Sequence, residues 1–228
     1  MSSIFISGGS KGIGLAIAKR YHANGWQVGI AARGEAALAQ AKADMPGIET
    51  FTCDMSKKEA VKSLAQEVQS RMGRLDVLVN NAGVFMQGNL HDEADEAFEN
   101  MMALNLNSAY YLTKALLPDM IAQKQGAIVN VCSVASIKAY PGGGSYGVSK
   151  YALLGFSKNL REEMKPHNIR VISLMPGAVF TASWEGVDVE EDRLMPADDI
   201  ASLVWTATDL SNRTVIEDIV VRPQLGDL

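Results

Sequence analysis

The chain has 228 residues, 47% of them hydrophobic and 20 of them glycine, enough to bury a substantial core and suited to one domain of alternating strands and helices over residues 1–228. A formal charge of −5 without clustering of like charges argues against nucleic acid or an anionic membrane surface as partner. No apolar run reaches the roughly 18 residues of a membrane span, and Ser3-Ile4-Phe5-Ile6 opens as a strand rather than a basic leader, so a soluble, cytoplasmic protein is expected.

Residues 4–7 form a short apolar strand that runs into Gly8-Gly9-Ser10-Lys11-Gly12-Ile13-Gly14 and then into a helical pattern through Leu15, Ala18 and Tyr21. Strand, glycine turn and helix in that order are the context in which glycine clusters receive phosphate. Glycine permits the tight turn and close backbone approach, and the helix N-terminus offers free N–H groups. The spacing is G-x-x-x-G-x-G, not the usual G-x-G-x-x-G, and a plain strand-to-helix turn is the alternative. A second strand over 27–32 ends Ala31-Ala32-Arg33. Where a carboxylate would hold the ribose hydroxyls of NAD(H), Arg33, with Lys11 from the loop, can instead take the 2′-phosphate of NADP(H). Arg33 can also stack on adenine or simply be solvated, and NAD(H) is then accommodated equally.

Residues 35–44 are read as helix and 48–53 as a third strand, leading to Asp54-Met55. Asp54 is placed either to accept from an adenine amino group or to cap the helix near Ser56. Val61, Leu64, Ala65, Val68 and Met72 keep helical spacing over 57–72, and 75–79 is an almost wholly apolar fourth strand ending in Asn80-Asn81-Ala82-Gly83. Residues 93–123 read as mostly one helix that contains Asn105, an indifferent helix former that needs a hydrogen-bonding duty or a local bulge to account for it. A fifth strand over 127–132 delivers Ser133 to its carboxyl end, where open α/β sheets bind ligands. Strands at 169–174 and 215–221 and a helix at 197–210 complete a doubly wound sheet of seven parallel strands. Cys53 and Cys132 fall inside apolar strand-like runs and are expected as buried thiols. His22, His91 and His167 show no ligand spacing, so no metal is expected.

Tyr146 and Lys150 lie one turn apart on a helix over 145–165, thirteen residues beyond Ser133. A tyrosine loses its proton near pH 10. An ammonium about 4 Å away at an effective dielectric of about 20 is worth enough to bring the phenol within working range of neutrality. Alternatively, the pair decorates an exposed helix face.

In their order and spacing these motifs resemble the short-chain dehydrogenase/reductase family over nearly the whole chain. Ser7 to Gly14 is similar to the family's T-G-x-x-x-G-I-G loop with serine for threonine, Asp54 to its adenine-holding aspartate, and Asn80 to Gly83 to its N-N-A-G. Asn105, Ser133, Tyr146 and Lys150 match the catalytic tetrad, and Pro176-Gly177 with Thr181 the segment that holds the nicotinamide amide. The resemblance implies a Rossmann-type three-layer fold and hydride transfer between NADP(H) and a carbonyl or secondary alcohol. It also implies a homodimer or homotetramer paired through the helices at 93–123 and 145–165.

On that resemblance Gly8, Ser10, Lys11, Gly12, Ile13 and Gly14 hold the cofactor's phosphates and Arg33, Asp54 and Met55 its adenosine end. Asn81, Ala82, Gly83, Pro176, Gly177, Val179 and Thr181 line its course towards the nicotinamide. Ser133 polarises the substrate oxygen, Tyr146 exchanges the proton, Lys150 holds tyrosinate and ribose, and Asn105 keeps a water against Lys150. Two departures concern the substrate: the segment 182–196 is short and acidic (Glu185, Asp188, Glu190, Glu191, Asp192), and the C-terminal segment lacks a glycine-rich ending. Val134, Ile137, Pro141, Gly142, Ala178 and Trp184 are expected around a partly apolar substrate. Two other readings compete: a cofactor-binding regulator without catalysis, and a serine hydrolase built on Gly143-Gly144-Ser145-Tyr146-Gly147 with His167 and Glu162 or Glu163.

Overall fold

The computed structural model describes every residue except Ala182, Ser183, Glu185, Val187 and Leu228; Glu185 of the acidic segment therefore lies outside the described residues. Seven parallel strands form one sheet: β1 (Ser3–Ser7), β2 (Gln27–Ala32), β3 (Glu49–Thr52), β4 (Val77–Asn80), β5 (Gly126–Val131), β6 (Ile169–Pro176) and β7 (Asp218–Val221). Their spatial order is β3-β2-β1-β4-β5-β6-β7. The chain moves outwards from β1 to β3, returns beside β1 as β4, and continues the other way. The crevice between the carboxyl ends of β1 and β4 is thus the point where the winding reverses.

Both faces of the sheet are covered, which is why the strands read as apolar runs rather than alternations. Along β1, Ile4 and Ile6 face a cluster with α1 (Gly12–Ala23), α2 (Glu35–Asp44) and α7 (Ala197–Asp209), which contribute Ile17, Leu38 and Val204. Phe5 faces the opposite cluster, built with α3 (Lys58–Met72) and with two helices further on, α5 (Ser108–Gln123) and α6 (Gly144–Met164), through Leu64, Leu112 and Leu160. Among the described residues, no helix is long and apolar enough to cross a membrane.

The helix expected over 93–123 is three pieces: α4 (Asp95–Met101), a π-helical turn (Met102–Asn107) and α5. The widening lets the buried Asn105 turn its amide onto the backbone of Val84 instead of following the regular ladder. β7 starts at Asp218 rather than 215, because Val215 and Ile216 pack against the core without pairing in the sheet. Cys53 and Cys132 are buried free thiols, and burial pushes each up to about 11.

Candidate active site

At the end of β1, Gly8 and Gly12 adopt φ of +68° and +54°, a conformation that side chains disfavour. Gly14 faces inwards, and a Cβ on it would stand 2.3 Å from the Gly8 carbonyl oxygen; it brings α1 against the loop without itself lining the cleft. Lys11 precedes α1 in an extended conformation without a side-chain cap, and the first turn holds no acid. The leading N–H groups of α1 therefore face the cleft uncompensated, as an anion requires. Ser7 braces this turn: its hydroxyl accepts from the backbone N–H groups of Asn81 and Ala82, both at 3.1 Å. The Asn81 amide donates in return to the carbonyls of Ser7 (3.1 Å) and Gly8 (2.9 Å).

From here a cleft of about 1080 Å³ runs across the carboxyl ends of the strands. At one end it is lined by Ser10, Lys11, Gly12, Ile13, Arg33 and Met55, and further along by Ala82, Gly83, Pro176, Gly177, Val179 and Thr181. Asp54 is not on its wall. The carboxylate accepts from the Ser56 hydroxyl (2.7 Å) and backbone N–H (3.0 Å). These bonds, then the nearby Arg33 and Lys57, hold it below the usual carboxylate range. The same bonds close the turn ahead of α3, whose N-cap is Lys57 and which has no side-chain cap, so Asp54 does not cap the helix as the alternative raised from sequence had it.

The other half of the cleft brings Ser133, Tyr146 and Lys150 together. Ser133 follows β5 and caps a short 3-10 turn, its hydroxyl accepting from the Ala135 N–H at 3.1 Å. Tyr146 stands in the first turn of α6 with the Phe85 ring edge-on at 4.9 Å. The electrostatic expectation for this pair requires correction. The Lys150 ammonium is buried and donates to the Val131 carbonyl at 2.8 Å, 5.8 Å from the centre of the Tyr146 ring. Burial lowers it to about 8, with the Cys132 thiol pulling the other way. Burial also raises the Tyr146 phenol above its ordinary value; the hydrogen bond with Ser133 opposes this and Cys132 adds to it. Desolvation thus sets the direction at Tyr146, while the ammonium is engaged with the Val131 carbonyl.

Asn105 does not reach the cleft surface. Its Oδ1 accepts from the Val84 N–H (2.8 Å), and its Nδ2 donates to the Val84 carbonyl (3.0 Å) and the Ser149 hydroxyl (2.9 Å). Ser149 in turn donates to the Tyr146 carbonyl at 2.8 Å. Asn105 therefore joins the loop after Gly83 to the helix that carries Tyr146. Gly83 separates it from Lys150: a Cβ there would lie 3.1 Å from Oδ1 and 3.7 Å from Nζ.

Of the expected substrate contacts, Val134, Pro141, Ala178 and Trp184 line the cleft, whereas Ile137 and Gly142 do not. Sequence reasoning missed Phe85, Gln87, Lys138, Tyr140 and Asp227, which also line it. Asp227 pairs with Arg222, five residues before it, and at 3.6 Å with Lys138, a contact distant in sequence that no local motif announces. The hydrolase reading fails on geometry: Ser145 is fully buried and donates to the Glu93 carboxylate, while His167 lies beyond the opposite end of α6.

A glycine turn and an uncapped helix at the reversal point of a parallel sheet receive a dinucleotide. Their continuation into a space shared by a hydroxyl, a phenol and an ammonium defines the class as a dinucleotide-dependent oxidoreductase. The sequence model described as short chain dehydrogenase matches residues 2–192, and the chain belongs to the short-chain dehydrogenase family. It is 36% identical to a sepiapterin reductase of Chlorobaculum tepidum over 99% of this chain and 97% of that one. Carbonyl reductase family member 4 of Xenopus tropicalis is 34% identical over 83% of this chain and 79% of its own. Among solved structures, a metagenomic short-chain oxidoreductase in complex with NADP superposes with a TM-score of 0.86 at 32% identity, covering 98% of this chain and 97% of its own. An alcohol dehydrogenase from the archaeon Thermococcus sibiricus, complexed with 5-hydroxy-NADP, gives 0.92 at 28% identity, covering 100% of this chain and 99% of its own.

Proposed function

We propose that this chain transfers a hydride between NADP(H) and a carbonyl or secondary alcohol, with Tyr146 as the acid/base. The observation that carries the reading is the meeting, in one cleft, of the glycine cradle and the Ser133, Tyr146 and Lys150 side chains. The cradle fits a pyrophosphate: its glycines leave no room for Cβ atoms and α1 presents uncompensated N–H groups. The charge balance fits a polyanionic ligand. Lys11, Arg33, Lys138 and Lys150 line the cleft of a chain whose net charge is −5, and among the described lining residues Asp227 alone is a carboxylate, already paired.

Arg33 and Lys11 would hold the 2′-phosphate. Around them Ala32, Gly34 and Ala37 line the wall and Glu35 does not, which favours NADP(H) over NAD(H). The nicotinamide supplies or accepts the hydride. The chain's own groups manage the oxygen: the Ser133 hydroxyl donates to it, and the Tyr146 phenol, protonated at neutral pH and pushed further up by burial, releases its proton as negative charge develops. Such a phenol suits carbonyl reduction. Lys150, charged below about pH 8, would stabilise the tyrosinate left as the proton goes and hold the nicotinamide ribose. Val134, Tyr140, Pro141 and Trp184 make the adjoining wall largely apolar, in keeping with a partly apolar small molecule as substrate. Phe98, Tyr110 and Tyr151, exposed on α4, α5 and α6, support assembly into a homodimer or homotetramer through these helices. The deciding experiment follows NADPH consumption over a panel of ketones, diketones and aldehydes with the wild type and Tyr146→Phe. Turnover in the first alone is expected, and turnover in both removes Tyr146 from its role.

A further inference from the structure

The helix that carries Tyr146 starts without a cap of its own. Gly143 stands at its N-cap position and has no side-chain oxygen to give, so the first N–H groups of α6 need a partner from elsewhere. Glu93, distant in sequence, fills that place. The Ser145 backbone N–H lies 3.1 Å and 3.3 Å from the two Glu93 carboxylate oxygens, and the Ser145 hydroxyl donates to the same group. A carboxylate is well suited to this position, because its hydrogen bonds are charge-assisted and it faces the positive end of the helix.

The surroundings are shaped around it. A Cβ on Gly144, which adopts φ of +36°, would stand 2.7 Å from Oε2 of Glu93 and 2.5 Å from the Gly88 carbonyl; a Cβ on Gly88 would stand 2.9 Å from the same Oε2. The segment is pinned on both sides: the Gly88 N–H donates to the Gly142 carbonyl (3.1 Å), the Gly142 N–H to Asn89 Oδ1 (3.2 Å), and the Glu93 N–H to the Asn89 carbonyl (2.9 Å). Tyr146 is the residue after Ser145, and Phe85, earlier in the same connection, lies against its ring. One connection between β4 and α4 therefore begins at the cofactor cleft with Asn81 and ends by anchoring the helix that presents the phenol.

We propose that Glu93 is a positioning residue for the reaction: by capping α6 at Ser145 it fixes the first helical turn and so the place of the Tyr146 phenol. This rests on the reading of Tyr146 as the acid/base. The cofactor loop does not depend on Glu93, so its loss should affect turnover and not cofactor binding.

The test compares Glu93→Ala, Glu93→Gln and Ser145→Ala in the full chain. It uses whichever carbonyl compound the wild type reduces, with NADPH affinity from fluorescence titration and folding checked by circular dichroism. Glu93→Ala is expected to lower kcat by between about tenfold and about a hundredfold, the effect of a displaced acid, with the NADPH Kd within about twofold of wild type. Glu93→Gln keeps an acceptor for both Ser145 donors and should recover most of the rate. An unchanged kcat in Glu93→Ala, an equal loss in Glu93→Gln, or a loss confined to NADPH affinity overturns the proposal. Should Glu93→Ala fail to fold, Ser145→Ala decides: it removes only the hydroxyl bond and is expected to lower kcat severalfold at unchanged NADPH affinity, and full activity in it overturns the proposal. Tyr146→Phe, run alongside, keeps the two claims apart: activity there overturns the role of Tyr146 and the positioning role with it, whereas an inactive Tyr146→Phe beside a fully active Glu93→Ala overturns the role of Glu93 alone.

Discussion

Replacing Lys150 by Met removes a charge that the fold holds at a cost. The ammonium is buried against the Val131 carbonyl, and burial holds its ionisation at about 8 against an ordinary 10.5. Below pH 8 the group is charged in the folded and unfolded chain alike, and the difference amounts to about 3 kcal/mol against folding. Between about pH 8 and 10.5 the unfolded chain binds more protons than the folded one, so this contribution to stability rises with pH and the cost disappears. Lys150→Met retains the apolar stem but leaves the Val131 carbonyl without its donor, a loss of about 1–2 kcal/mol. At pH 7 the variant should therefore be more stable by about 1–2 kcal/mol, a rise in Tm of about 3–6 °C for a chain of this length. Near pH 10.5 the order should reverse. Activity moves the other way, because the ammonium assigned to the tyrosinate and the ribose is gone. Thermal unfolding from pH 7 to 10.5, paired with NADPH turnover, measures both. A variant no more stable than wild type at pH 7, or one with the same pH dependence, refutes the account of a buried, destabilising ammonium.

The cofactor assignment predicts that wild type favours NADP(H) by about tenfold to a hundredfold in kcat/KM, the range that one or two charged hydrogen bonds supply. Ala32→Asp with Arg33→Ala should swing that preference towards NAD(H), whereas equal efficiencies in wild type or no swing in the double variant contradict it. Light scattering at micromolar concentration should give a dimer or a tetramer; a monomer alone rules out pairing through α4, α5 and α6.

The sheet was legible because strands covered on both faces carry apolar side chains at almost every position, as Val77 to Val79 do. The irregularity in the helix over 93–123 was signalled by Asn105, which called for a hydrogen-bonding duty or a local bulge; the extent of the π-helical turn and the partner Val84 were not, since the apolar pattern runs on through the turn. Within the site, residue types at fixed spacing marked the glycine turn, Ser133, Tyr146 and Lys150. What each side chain bonds depends on the fold. The partner of Lys150 is the carbonyl of Val131, and a backbone acceptor leaves no trace in residue identity. The direction in which the phenol shifts is set by burial, which spacing alone does not reveal. Glu93 reads locally as one more acid in an acidic stretch, and only the folded chain brings Ser145 to its carboxylate.

Transfer of deuterium from C4-deuterated NADPH to a carbonyl substrate, compared in wild type and Tyr146→Phe with NADPH binding monitored separately, tests the central claim most directly. The account predicts deuterium on the carbinol carbon with the wild type, and with Tyr146→Phe undiminished binding but less than a few per cent of the transfer, because one proton has been removed and no binding surface. Label reaching the product at a comparable rate in Tyr146→Phe, or no label in the wild-type product, would contradict it.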